Sequence, residues 1–175
     1  MKTYVLTLSN TFPAKHPRKG EPTNFDAQVL NSVWSAHNMS LRYLKFGIKL
    51  HTIRSNYELW SKRFKQIDEG KACISIRYWI GKPYHSKQFE ICKLTKEDGI
   101  GLQRLQFIPL NNDLGNFITS IDFRCHRMPE ALNLAHELAS NDGLTFADWK
   151  EWIFISSKYN ISKPLAIIHF TKFRY

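Results

Sequence analysis

Short segments of the chain alternate between hydrophobic and polar residues, which is the pattern of strands with one buried face. Residues 72–80 show this most clearly, because every second residue is apolar or aromatic while Arg77 and Trp79 lie on the opposite, more polar face. The turn-forming sequence GKPY at 81–84 follows, so residues 87–94 are predicted to return as the second strand of a hairpin. Further strands are predicted at residues 2–8, 102–109, 117–125 and 165–173.

Apolar residues at helical spacing predict the helices. Tyr57, Trp60, Phe64 and Ile67 recur every three or four positions, and Gly70 follows as a helix terminator. This helix is therefore expected to bury its aromatic stripe and to expose the charged residues between. Other helices are predicted to begin at Phe25 after the capping Asn24, after Pro129, and after the capping Thr145, and a shorter helical piece is predicted at 40–46.

The order of these elements favours an α+β fold. Strands and helices do not alternate as in a βαβ protein, so we predict a small mixed β-barrel with helices packed outside it and the closing strand paired within it. No linker or repeat divides residues 1–175, which are predicted to form a single domain. Residues 10–23 contain three prolines and a glycine and are expected to form a rigid, basic loop.

The octet GIKLHTIR at 47–54 does not fit a simple strand. Alternation would leave neither of its faces apolar, so packing alone does not explain the positions of Lys49, Thr52 and Arg54. We predict that Gly47 ends a helix and that an irregular bend lets Lys49 and Thr52 point into one pocket. Arg54 would then begin the following strand at the mouth of that pocket.

Composition narrows the class of protein. The hydrophobic fraction of 43% is typical of a globular protein, and no run of about 18 apolar residues that would span a membrane is present. The apolar stretch at the start is too short for a signal peptide, so a cytoplasmic location is expected. Cys73, Cys92 and Cys125 are far apart, and the histidines lack metal-binding spacing. Reduced thiols, no metal and no other cofactor are therefore expected.

The charge of the chain is uneven. Residues 1–96 hold 17 Lys and Arg against 6 Asp and Glu, whereas residues 97–175 hold 8 against 9. A basic surface concentrates polyanions and supplies the sequence-independent part of nucleic-acid affinity. The charge pattern therefore favours a nucleic-acid or nucleotide partner, although many soluble proteins are basic without one.

The opening octet also carries a resemblance. Gly47, Lys49, Thr52, Ile53 and Arg54 fit the pattern G-x-K-x-x-T-x-R, and in this motif the chain resembles the ASCH family, whose fold is a β-barrel of the PUA-like group. A DG-L-T turn, a helix with aromatic residues and a final apolar strand follow near the C-terminal end in the family's order.

The resemblance covers part of the chain. It extends over most of residues 45–94 and 140–175, whereas residues 10–23, 34–43 and 97–128 look like elaborations of a smaller common core. The resemblance therefore implies a PUA-like barrel with additions.

Two functions are implied by the resemblance. PUA-like barrels are often RNA-binding modules, and some small ASCH members look like amidohydrolases that deacetylate N4-acetylcytidine. Carried over to this chain, the catalytic set of those members is Lys49, Thr52 and Asp142. The family's acid is commonly Glu, so Asp142 is one methylene shorter than the pattern. In amide hydrolysis Thr52 would be the nucleophile, Lys49 its base, and Arg54 the group that holds the oxyanion.

Alternatively, the same residues can bind a ligand without hydrolysing it. Lys49 and Arg54 would contact phosphate while Thr52 would hydrogen-bond a base or ribose of RNA or of a modified nucleoside. A third alternative is a non-catalytic accessory protein whose basic face binds DNA or a protein. The oligomeric state is left open by the sequence. Stacking and charge along the binding groove are predicted from further cationic and aromatic residues, namely Arg77, Trp79, Lys82, Tyr84, Lys87, Arg18 and Lys19.

Overall fold

A computed structural model describes residues 1–36, 44–110, 113–127, 129–155 and 163–175 of the chain. Helices and strands both contribute, so the α+β expectation is confirmed. The helices are α1 (Phe25–Ala36), α2 (Tyr57–Asp68), α3 (Glu130–Asn141) and α4 (Phe146–Lys150). The strands are β1 (Lys2–Leu8), β2 (His51–Arg54), β3 (Ala72–Trp79), β4 (Gln88–Leu94), β5 (Gly101–Leu110), β6 (Asp113–Ile121), β7 (Arg124–His126) and β8 (Leu165–His169).

The strands form two sheets. One has the order β1-β3-β4, with β1 parallel to β3 and β3 antiparallel to β4. The other has the order β2-β8-β5-β6-β7 and is antiparallel throughout. Among the described strands the two sheets are separate and no closed ring is formed, so the observed architecture is a mixed sheet-and-helix fold.

The closing strand β8 joins two hydrophobic cores. All five of its residues are buried, and its two faces belong to different clusters. Ala166 and Ile168 pack in the cluster under the three-stranded sheet, α1 and α2, whereas Leu165 and Ile167 pack in the cluster under α3 and α4. A strand buried on both faces reads as a continuous apolar run, which explains the sequence LAIIH. β8 lies between β2 and β5 in the five-stranded sheet.

The predicted strand at 117–125 is wrong in one respect. The chain reverses within it, at Asp122 and Phe123, whose φ angles are +46° and +69°. The Asp122 carboxylate holds the turn by accepting from the Arg104 backbone N–H and the Gln103 side chain, both at 2.8 Å. The Arg104 guanidinium also lies over the Phe123 ring. Neither turn residue is a glycine, so the usual signal of a tight hairpin is missing from the sequence.

Two further segments differ from their predicted structure or lie partly outside the described residues. The polar segment 111–116 is expected to be a turn, yet β6 already begins at Asp113. Of the helical piece expected at 40–46, residues 40–43 lie outside the described residues. Leu44–Phe46 form a 3₁₀ turn, and Gly47 follows with φ +78°.

The proline-rich loop 10–23 is fastened to α4. Arg18 donates to the Asp148 carboxylate at 2.7 Å, and the buried His16 ring nitrogen lies 3.2 Å from the Asp148 backbone oxygen. Phe12 packs against Trp152 with ring centroids 5.6 Å apart. Part of the positive charge of the loop is therefore neutralised by the Asp148 carboxylate. The same carboxylate accepts a hydrogen bond from the Thr145 hydroxyl at the start of α4.

No helix within the described ranges is long and apolar enough to cross a membrane.

Replacing Asp148 tests the fastening of the loop. Asp148→Asn is expected to lower the free energy of unfolding by about 2 kcal/mol, because a partly buried charge-assisted bond from Arg18 is lost. The midpoint of thermal unfolding should fall by roughly 4–8 °C. Glu21→Gln is the matched control, since Glu21 pairs with the same arginine at the surface and should change stability by less than about 0.5 kcal/mol. Equal effects of the two substitutions would contradict this account.

Candidate functional site

Four residues singled out in the sequence line one cavity. It has a volume of about 210 Å³ and lies where the end of β1, the start of α1, β2 and the turn after α3 meet. Lys49, Thr52, Arg54 and Asp142 all contribute to its wall. The apolar part of the wall comes from Leu8, Phe25, Ile53, Leu144, Trp152 and Ile153.

An irregular backbone segment places Lys49 beside Thr52. Residues 47–50 are not part of a strand, and β2 begins only at His51. The Lys49 backbone N–H donates to the Ser32 hydroxyl at 2.9 Å and to the Gln28 carbonyl at 3.2 Å, so α1 fixes this segment. Lys49 and Thr52 are therefore released from strand alternation and line the same cavity, as expected from the sequence. The expectation that Arg54 begins the following strand is wrong, because Arg54 is the last residue of β2.

The turn after α3 delivers Asp142. Its backbone N–H donates to the Leu138 carbonyl, and Gly143 follows with φ +75°. The φ of +75° favours glycine, and a Cβ at position 143 would also lie 1.8 Å from the Gln28 side-chain oxygen, so any other residue would be strained and would displace Gln28. On the other side, the Leu50 N–H donates to the Asn141 carbonyl at 2.8 Å.

Lys49 and Asp142 form a buried ion pair. The Lys49 ammonium donates to both the side-chain and the backbone oxygen of Asp142 and lies 3.9 Å from the centre of the Phe25 ring. Lys49 is 1% exposed and Asp142 5% exposed. Burial lowers the pKa of Lys49 and raises the pKa of Asp142, while their mutual attraction opposes both shifts. Both pKa values therefore move toward each other, which brings the charged and neutral forms of the pair closer in free energy.

Arg54 holds Thr52 and connects the two sheets. Its guanidinium donates to the Thr52 hydroxyl, to the Ile53 carbonyl and to the Thr7 carbonyl, each at 2.8 Å. Because the Thr52 oxygen accepts from Arg54, its own proton remains available for another acceptor. Most of the Arg54 donors are used within the protein, so a bidentate clamp on phosphate is not the role that this geometry favours.

This arrangement can support two kinds of chemistry. A hydroxyl, an amine with a lowered pKa and a carboxyl with a raised pKa face one small, mainly apolar space. Such a set can transfer protons around a nucleophile, and it can equally bind the polar edge of a neutral ring.

A second buried network lies behind the pair. The His51 ring nitrogen Nε2 is 2.7 Å from the Tyr175 hydroxyl, which also accepts from the Asn141 side chain at 3.0 Å. His169 faces His51 with ring centroids 5.6 Å apart. Burial lowers the pKa of His51 well below its usual value and that of His169 to about 3. Both rings are therefore neutral at pH 7 and add no positive charge beside Lys49.

Five other predicted binding residues lie on the β3–β4 hairpin. Arg77 is engaged, since it donates to the Ser75 hydroxyl at 2.7 Å and lies 3.5 Å from Glu90. The hairpin touches the cavity through Thr7, which pairs with Arg77 and accepts from Gln88. The remaining four are partly buried or exposed and occupy the end of the hairpin, namely Trp79, Lys82, Tyr84 and Lys87.

Arg18 and Lys19 do not line the cavity. Arg18 is paired with Asp148 and Glu21, and Lys19 is exposed on the same loop. The sequence did not single out the aromatic walls Phe25 and Trp152 as site residues. Both look like ordinary packing residues of their own helical segments, and only the tertiary contact between them, at 5.9 Å, reveals the wall.

No group of three or more His, Cys, Asp or Glu residues within the described part of the chain is arranged to hold a metal ion. Of the described residues that line the cavity, only Asp142 carries a carboxylate, and it is already paired with Lys49. This donor set does not fit a divalent cation.

Comparisons with known proteins give no match: no family model, no curated protein and no solved structure matches the chain.

Removing the lysine tests the ion pair. Lys49→Met is expected to lower the free energy of unfolding by about 3–5 kcal/mol at pH 7, because the Asp142 carboxylate is left buried without its cation. The pKa of Asp142 in the folded variant should rise further above its unfolded value. The folded state then binds the extra proton, so stability should fall as the pH rises above about 4. Chemical denaturation between pH 4 and pH 8 measures this slope.

The double variant Lys49→Met/Asp142→Asn is the control for that slope. It lacks the buried carboxylate, so most of the lost stability at pH 7 and the extra pH dependence should disappear. A single variant that is as stable at pH 8 as at pH 4 would disprove the pairing.

Proposed function

We propose that the chain is an ASCH-like domain that binds a nucleotide of RNA, or a modified nucleoside, in the cavity built on Lys49, Thr52 and Arg54. The observation that carries this proposal is that the three motif residues and Asp142, which is distant in sequence, line one cavity. Packing alone gives no reason to bury a lysine, an acid and a threonine together beside a partly buried arginine. The basic surplus of residues 1–96 supports an anionic ligand.

The cavity suits one ring-sized group. Its volume of about 210 Å³ lies below the range of pockets for drug-sized ligands, which begins near 300 Å³. Phe25 and Trp152 supply aromatic walls against which a base can pack. Asp142 and the Thr52 hydroxyl supply hydrogen-bonding atoms for the polar edge of that base. The phosphate groups would remain outside, because Arg54 is engaged with protein oxygens.

The PUA-like barrel forms part of this proposal. The Arg54 guanidinium links the end of β1 in one sheet to β2 in the other, and β8 contributes to the cores under both sheets. These contacts support an arrangement in which β1 and β2 are neighbouring edges of an incompletely closed barrel.

Amide hydrolysis is a second candidate for the same cavity. The specific support is the lowered pKa of Lys49, which raises its neutral, basic fraction beside the Thr52 hydroxyl. Thr52 would attack the acetyl carbonyl of N4-acetylcytidine and pass its proton to Lys49, while the Arg54 donors that are not bonded to protein oxygens stabilise the oxyanion. The C–N bond then breaks as Asp142, in its protonated form, gives a proton to the leaving amine. Water next hydrolyses the acetyl ester on Thr52, releasing acetate and restoring the hydroxyl.

Binding is tested with a nearly isosteric variant. Thr52→Val keeps the shape of the side chain and removes the hydroxyl, so affinity for a bound nucleoside should fall about tenfold. Calorimetric titration with a panel of cytidine, uridine and their modified forms measures the affinity. Ser55→Ala is the control, since Ser55 is exposed just beyond β2 and should leave the affinity unchanged. Binding that is insensitive to Thr52→Val would place the ligand elsewhere.

Hydrolysis predicts a larger effect of the same change. Acetate release from N4-acetylcytidine should fall by at least about a thousandfold in Thr52→Val, far beyond the loss of binding, and should persist in Thr52→Ser. The rate should be bell-shaped in pH, rising as the Lys49–Asp142 pair loses its first proton and falling as it loses its second, because the reaction needs a neutral Lys49 and a protonated Asp142 at once. Equal turnover in the wild type and Thr52→Val would rule out this mechanism, and a wild type without turnover would leave binding as the function.

A further inference from the structure

The β3–β4 hairpin extends beyond the strand that flanks it. The last residue of β1, Leu8, pairs with Tyr78, so β1 ends where the end of the hairpin begins. We call residues 79–89 the hairpin tip. Among the described strands, none pairs with the tip apart from the hairpin's own two arms. The tip is therefore a free surface beside the cavity.

The surface of the tip is aromatic and basic. Tyr84 is 87% exposed, Phe89 is 52% exposed, and the rings of Trp79 and Tyr84 lie 5.4 Å apart. The tip contains no Asp or Glu. Lys82 and Lys87 are exposed, and neither forms an ion pair with a described residue. Exposed aromatic rings among unpaired cations are the combination that binds single-stranded nucleic acid, since bases stack on the rings while the cations attract the backbone.

The tip is ordered by its own hydrogen bonds. The Gly81 N–H donates to the Ser86 hydroxyl at 3.0 Å, and that hydroxyl donates to the Lys82 carbonyl at 3.0 Å. The His85 N–H donates to the same carbonyl at 3.1 Å. Within this loop Tyr84 has φ +65°, a conformation that a tyrosine adopts only at a cost in free energy. The loop thus maintains a strained residue whose ring is 87% exposed beside Trp79, so burial in the core does not explain its conformation.

The tip is also continuous with the cavity. Thr7 lines the cavity, and its hydroxyl accepts from Gln88, which pairs with Trp79 across the hairpin. One strand end therefore separates the cavity wall from the aromatic surface. A chain of nucleotides with one base in the cavity would reach the tip with its neighbouring bases.

We propose that the hairpin tip stacks the nucleotides that flank the one held in the cavity, so that the ligand is a single strand of RNA and not a free nucleoside. This inference rests on the proposed function and extends it from the cavity to the surface beside it. A duplex would not serve, because its bases are already stacked and cannot lie on Trp79 and Tyr84.

The test compares a strand with its monomer. A fluorescein-labelled decamer of uridylate and free uridine monophosphate are titrated into the full chain at several salt concentrations. Tyr84→Ala should weaken decamer binding about tenfold and leave the monomer unaffected. Its matched control is Phe123→Ala, since Phe123 is also an exposed aromatic residue with a positive φ but lies on the β6–β7 turn. Lys82→Gln/Lys87→Gln should reduce the slope of log affinity against log salt by about 1.4, and Lys62→Gln/Lys65→Gln on α2 should not.

Each contrary result contradicts a different part of the proposal. If the decamer and the monomer bind equally and Tyr84→Ala alters neither, the role of the tip is wrong while the cavity remains a nucleotide site. If the control variants weaken the decamer as much as the tip variants do, binding is unspecific and the inference fails. A polyglutamate peptide that displaces the decamer from the tip would assign the surface to an acidic protein instead. If no nucleotide probe binds, the proposed function fails as well.

Discussion

The buried pair of Lys49 and Asp142 is the interaction on which the candidate site depends. Removing both charges from water costs several kcal/mol per ion, and only close contact with further hydrogen bonds offsets that cost. The protein meets this condition by fixing the backbone on both sides of the pair. Helix α1 receives the Lys49 N–H, and the Leu50 N–H donates to the residue preceding Asp142. Gly143 then permits the contact between the turn and α1. A pair held this firmly keeps an amine and a carboxyl at the wall of a small apolar cavity.

The position of the cavity follows from how the two sheets are joined. β8 packs into both cores, and Arg54 spans from β2 to the end of β1. The cavity therefore lies at the junction of the two sheets. Strand ends and irregular segments there leave a space that two continuous, packed sheet faces would fill. His51 and His169 pair across β2 and β8, and because both rings are neutral they add no positive charge behind the pair.

Local rules account for much of the fold and for the polar half of the site. Alternation located β1 and the β3–β4 hairpin, helical spacing located α2, and turn chemistry located the end of α3. The octet at 47–54 was informative because its polar residues fitted neither face of a strand. Features that depend on contacts between residues distant in sequence could not be predicted from local patterns. The turn at Asp122 and Phe123 depends on bonds from β5, and the partner of Arg18 lies 130 residues away. The aromatic walls Phe25 and Trp152 carry no local signal, since each also satisfies the apolar pattern of its own segment.

The length of the acid affects what the pair can do. Because Asp142 is short, its carboxylate stays close to its own backbone carbonyl, and the Lys49 ammonium contacts both oxygens at once. A glutamate at this position would carry its carboxylate one methylene farther from the backbone and would separate these two acceptors. The aspartate therefore favours a tightly held lysine in the resting site. Catalysis would require the proton to pass from the ammonium to the carboxylate, a transfer that burial assists because it lowers the pKa of the lysine and raises that of the acid. The same burial that makes the pair costly is thus what would allow it to act as a base and an acid.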